Sequence, residues 1–222
     1  MTESQMDALR MHALGDPRSL RRERVPTPAP GPGQALVRVH AAAITRGELD
    51  WPEDRLPATP SYEFSGVVAA LGPDLDRIAA GDAVYALTDF DGDGAAADYV
   101  VVREEVLAPK PRTLDHIETA AVPLAGLSAW QGLFDHGKLA AGQRVLIHGA
   151  AGGVGSLAVQ LARAQGAHVI GTASKATWRR RSSPRPTGSS ITPFPASRIS
   201  STPSTSSSTP SAVSGSSAQR PC

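Results

Sequence analysis

The chain has 222 residues, 41% of them apolar, and a formal charge of +1 from 22 Lys and Arg against 21 Asp and Glu, which leaves room for one large or two small domains. Its single cysteine, Cys222, excludes an intramolecular disulfide framework and a cysteine-built zinc site. No apolar run reaches the ~18 residues that span a bilayer, and the opening MTESQMDALR lacks the basic and apolar regions of a signal peptide, so a soluble cytoplasmic protein is expected.

Charge divides the chain: residues 1–174 carry 15 basic and 21 acidic side chains, whereas residues 175–222 carry 7 basic and no acidic ones. From the start, Ala8–Ala13 and Ser19–Val25 alternate apolar and polar residues around a Gly15-Asp16-Pro17 turn and predict a hairpin. The rigid loop Pro26–Gln34 feeds a strand over Ala35–Ile44 with one wet face. Thr45–Pro60 is a polar, proline-bearing loop with room for a short helix. Further strands are predicted over Ser61–Leu71, Ala83–Leu87 and Ala97–Val102, separated by Gly, Pro and Asp turns. This spacing describes a compact β-rich unit.

The period then lengthens. Thr113–Ala121 and Leu124–Phe134 have helical spacing, and Asp135–Gly137 ends the second helix. Val145–Lys175 (VLIHGAAGGVGSLAVQLARAQGAHVIGTASK) then runs strand, glycine turn, helix, strand. With Ala150 in the first glycine slot, Ala150-x-Gly152-x-x-Gly155 is the dinucleotide fingerprint. Its second slot lets backbone approach a pyrophosphate, and its third lets the helix pack on the strand. The pyrophosphate then meets the free N–H groups of the helix start. Apolar residues at Val154, Leu157, Ala158, Leu161 and Ala162 give the following helix its buried stripe. Cofactor-binding residues are therefore expected at Gly149, Ala150, Ala151, Gly152, Gly153, Val154 and Gly155.

The order of β-rich unit, bridging helices and AAGGVG turn, with the stretches GPGQALVRVHAAAITRGELDW, SYEFSGVVAALGP, GDAVYAL, AAADYVVV and ETAAVPLAGLSAWQGLF, resembles the medium-chain dehydrogenases/reductases. Within that superfamily it is similar to the zinc-independent quinone-oxidoreductase branch, over residues 6 to about 174. The fold class implied is α/β: a β-rich alcohol-dehydrogenase-like domain at 1–112, bridging helices at 113–140, an incomplete Rossmann βαβ unit at 141–175 and a disordered tail at 176–222. The resemblance also implies a homodimer for a full-length member.

Zinc members of the superfamily place a Cys after the strand that here ends at Ile44 and a His-Glu pair at the start of the next. This chain has Thr45 and Tyr62-Glu63 there, so no metal site is expected. Without a metal, the chemistry implied is hydride delivery to an electron-poor quinone or α,β-unsaturated carbonyl. Thr45 and Tyr62, at the vacated ligand positions, are the candidates to hydrogen-bond the acceptor oxygen; a loop cap and a packed aromatic are the alternatives. Asp50 reads as a solvated loop acid and His148 as an outer residue at a strand end. Ser128 resembles a family position near the nicotinamide, or is a plain helix-face serine. NAD sites place an acid about twenty residues beyond the glycines. Here that strand ends Gly171-Thr172-Ala173-Ser174-Lys175, so Ser174 and Lys175 are expected to favour NADP(H).

Residues 175–222 hold 15 Ser and 7 Pro, a composition that does not offset its ordering entropy by burial. Reading the gene one nucleotide earlier turns Ser codons of the TCN type into Val, Ile, Leu or Phe and allows segments such as Val-Val-Asp-Tyr-Thr. The tail is therefore expected to be a frameshifted reading of further βα units, leaving cofactor binding impaired. The competing expectation is a β-rich, non-enzymatic domain whose basic tail binds acidic partners or nucleic acid.

Overall fold

The computed structural model describes residues 4–51 and 55–174; the predicted tail lies outside them. Strands β1 (Gln5–Met11) and β2 (Leu20–Pro26) pair antiparallel as a hairpin. It begins three residues earlier than the alternation suggests, because Met6 and Ala8 are already buried. Gly15, at φ +68°, turns the chain between them.

Five more strands form an antiparallel sheet: β3 (Gln34–Ala43), β4 (Glu63–Leu71), β5 (Ala83–Leu87), β6 (Tyr99–Arg103) and β7 (Ala108–Pro109), in the order β6-β3-β4-β5-β7. Its inward residues Ala35, Val37, Phe64, Val68, Val84, Val100 and Val102 close a core with Ala86 and Leu107. The predicted alternation of β3 holds to Val39 and then fails. Its register on β4 shifts between Val39 and Ala41, a bulge that turns the end of the strand toward the Thr45 loop.

Helix α1 spans His116–Ala120, shorter than predicted. Asp115 caps it by accepting the Glu118 N–H at 2.8 Å, and the Glu118 carboxylate accepts the Asp115 N–H at 3.1 Å, which fixes the start three residues late. Helix α2, Pro123–Trp130, starts on a proline that has no N–H to orphan. The predicted continuous α-helix to Phe134 is corrected: Gln131–His136 is a π-helical turn, and the Gly137 N–H reaches the Gly132 carbonyl five residues back.

The last elements are β8 (Arg144–Ile147), α3 (Gly153–Ala164) and β9 (His168–Gly171), with β8 parallel to β9. Ala158, Val159 and Ala162 of α3 pack on Ile147 and on Ala129 and Leu133 of the bridging helices. Val154, predicted to lie in that stripe, is instead exposed. A second link joins the two regions. The Glu63 carboxylate, buried at the start of β4, accepts the Leu124 N–H in the first turn of α2 at 2.8 Å. Among the described residues no helix is long and apolar enough to cross a membrane.

Candidate functional site

The glycine turn runs from His148 to Gly152. Gly149 sits at φ +66°, a left-handed conformation that costs glycine little, and its carbonyl accepts the Gly152 N–H at 2.7 Å. A Cβ on Gly155 would fall 2.2 Å from that same carbonyl oxygen. The third glycine therefore lets α3 close onto the turn itself, rather than onto the strand as the fingerprint suggests. Gly152, Gly153 and Val154 are exposed and Ala151 is buried. With no acid in its first turn, α3 presents its unpaired N–H groups to solvent, an arrangement suited to an anion.

The segment after β9 is tied to this turn. Ala150 donates its N–H to the Thr172 carbonyl at 2.9 Å, Thr172 donates to the Ile147 carbonyl at 3.0 Å, and the His148 ring meets the Thr172 hydroxyl at 3.0 Å. His148 is thus spent on holding the strand ends together. Ser174 follows on the surface, and Lys175 lies outside the described residues. Ser128 donates its hydroxyl to the Leu124 carbonyl at 2.7 Å, on its own helix.

Thr45 and Tyr62 are brought together by a residue outside the predicted site. Glu48, 1% exposed, accepts the Thr45 N–H on one carboxylate oxygen at 2.9 Å and the Ser61 N–H on the other at 2.8 Å. Burial raises its pKa above the ordinary carboxylate range, opposed by the N–H groups of Thr45 and Ser61, by the Thr45 side chain, and by the Tyr62 N–H. Glu63 is raised as well, by burial first, against the Leu124 N–H, and by the nearby Glu48 charge. Ser61 is held at φ +75°, unusual for a residue with a side chain, and its hydroxyl is shared between the Ala43 and Glu63 carbonyls at 2.9 and 3.0 Å. These bonds fix the direction in which Tyr62 leaves the backbone. The Thr45-x-x-Glu48 spacing is a capping box and was the available signal for Glu48.

Tyr62 itself is buried in an aromatic cluster. Its ring lies 5.0 Å from Phe90 and 6.0 Å from Trp51, which meets Phe90 edge-on at 5.6 Å. The three line a pocket of about 360 Å³, into which the outer two rings are nearly half exposed. Arg55 donates to the Tyr62 hydroxyl at 3.0 Å and to the Phe90 carbonyl. Nothing in the sequence pattern marks Arg55, because its partners lie 7 and 35 residues away. Asp50 is exposed, as expected of a loop acid.

A metal does not fit this place. Thr45 and Tyr62 are poor ligands, Glu63 is engaged with α2, and among the described residues no three His, Cys, Asp or Glu side chains gather as a metal requires.

Residues 31–112 match the alcohol dehydrogenase GroES-like domain. The quinone oxidoreductase of Rattus norvegicus is 33% identical over 175 residues, covering 76% of this chain and 53% of that protein. The solved quinone oxidoreductase of Coxiella burnetii superposes with a TM-score of 0.72 at 35% identity, covering 78% of this chain and 58% of that one. The chain belongs to the quinone-oxidoreductase-like medium-chain dehydrogenases/reductases. It also shares 40% identity over 149 residues with the spectinabilin polyketide synthase system protein NorB of Streptomyces orinoci, 66% of this chain and 7% of that protein. As a medium-chain dehydrogenase/reductase it spans about half the length of the quinone oxidoreductases it matches.

Proposed function

We propose that the chain is built to bind NADPH and to hold a quinone or α,β-unsaturated carbonyl for reduction without zinc. The observation that carries this reading is the glycine turn, where α3 closes onto Gly149 and leaves its first N–H groups open to solvent. Gly152, Gly153, Val154 and Gly155 would hold the pyrophosphate, flanked by Gly149, Ala150 and Ala151. Ser174 and Lys175 favour a 2′-phosphate, since no acid stands at the end of β9 to bind a 2′-hydroxyl. When bound, the nicotinamide supplies the hydride chemistry. The chain's own residues orient the acceptor: Tyr62, which lines the aromatic pocket, offers a hydrogen-bond donor to its oxygen, while Thr45, whose side chain is bonded to Glu48, is left to hold that carboxylate.

Cofactor binding is expected to be weak. Leu146 and Ile170 are register partners on the face of β8 and β9 away from α3, and they are 54% and 49% exposed. In a complete doubly wound sheet that face is covered. Fluorescence titration tests both parts: NADPH should saturate only in the high micromolar range or above, with NADH weaker still. Equal binding of the two, or a preference for NADH, would reject the NADPH reading. An open reading frame that continues the βα pattern without a nucleotide slip would reject the frameshift.

A further inference from the structure

We propose that Arg55 is a positioning residue that commits the Tyr62 hydroxyl to donate to the acceptor oxygen in the pocket it lines with Trp51 and Phe90. The inference rests on the acceptor site assigned above and names the residue that sets its donor. A guanidinium has donors only. Its bond to the phenol oxygen therefore occupies that oxygen as an acceptor and leaves the hydroxyl hydrogen to find another partner. Among the described residues none accepts it. The Arg55 Nε–H is also buried without a partner. Among the described residues the phenol hydrogen thus has no other taker, and a cation stands on the phenol oxygen.

Such a pair suits an oxygen that carries partial negative charge. A quinone carbonyl is one, and its charge grows as the ring is reduced. Trp51 and Phe90, in edge-on contact with each other, wall the pocket with apolar surface. No proton changes owner in this arrangement; the Tyr62 hydroxyl donates a hydrogen bond and keeps its hydrogen.

The test needs no cofactor and uses the full chain. Duroquinone is titrated by calorimetry, and the carbonyl stretch of the bound quinone is read by infrared difference spectroscopy. Saturable binding with a carbonyl stretch shifted below its free value is expected in the wild type. R55M should weaken binding about tenfold and return the stretch toward its free value although Tyr62 is still present, as loss of a hydrogen bond to a charged group predicts. R55K should recover part of both signals, and Y62F should lose the shift in either background. The same stretch in R55M or R55K as in the wild type would overturn the role of Arg55 and leave the acceptor site standing. Absence of duroquinone binding to the wild-type chain would overturn the acceptor site itself.

Discussion

Phe64 and Leu146 are both large apolar residues within strands, yet Phe64 is fully buried and Leu146 is 54% exposed. β4 has a strand on either side and a closed core beneath it. Among the described residues β8 pairs with β9 alone and is covered by α3 on one face. The β-rich region is therefore complete in its own packing, while the βαβ region depends on the bridging helices and on the Glu63 bond to α2. The chemistry follows the same division. A rigid, buried network sets Tyr62, whereas the anion site at α3 stands on the less supported region.

This contrast makes its largest claim on stability. Phe64→Ala should cost about 4 kcal/mol, the loss expected for emptying a packed core site. Leu146→Ala should cost under about 0.5 kcal/mol, as at an exposed position. Urea unfolding measures both, and native-state hydrogen exchange separates the regions, with β3 and β4 amides protected longest and β8 and β9 amides exchanging first. Similar protection in both regions would break the comparison.

Next in size is Glu48→Ala. It leaves the Thr45 and Ser61 N–H groups buried without an acceptor, at a cost of about 3 kcal/mol. Glu48→Gln keeps one acceptor oxygen and should cost about half as much. Gly155→Ala probes the other region. Its added methyl meets the Gly149 carbonyl oxygen, and the shift of α3 should cost about 2 kcal/mol. Hydrogen exchange should localise that loss to β8 and β9 and leave the β3 and β4 amides unchanged. A loss spread over both regions would show that they unfold as one.

How far these features were legible in the sequence follows from the range of the interactions. Alternation and turn residues placed every long strand, because burial on one face is written into neighbouring positions. The glycine turn was legible because its spacing is itself the mechanism. The end of α2 was not: Gln131–Phe134 keeps apolar spacing that α and π geometry both satisfy, and only the Gly132–Gly137 bond separates them. Tyr62 could be nominated by its place at a vacated ligand position. The Arg55, Trp51 and Phe90 partners could not, since the loop that brings 55 and 90 to 62 has no period to read.

The smallest expected effect is on pH dependence, and it separates groups within the β-rich region. His116 of α1 stacks on His40 of β3 with ring centres 4.4 Å apart, and its Nδ1 lies 2.8 Å from the Ser65 hydroxyl of β4. Ser65 donates to the Val84 carbonyl at 3.1 Å, so the hydrogen between Ser65 and His116 belongs to Nδ1. Burial, then the His40 and Lys110 charges, push the His116 pKa below its ordinary value, while Asp115 opposes them. Between its folded pKa and about 6.5 the unfolded chain binds the extra proton, so stability falls as pH drops through that window. Glu48 and Glu63 act the other way. Their raised pKa values make the folded state bind more protons, so stability falls as pH rises from about 4.3, the ordinary carboxylate value, through their folded pKa values. Glu63→Gln should flatten the second slope and His116→Gln the first, both read as urea midpoint against pH. Hydrogen exchange at pH 5.5 should show the His116 loss at α1, β3 and β4 alone; an equal loss at β8 and β9 would place the acid-sensitive contact elsewhere.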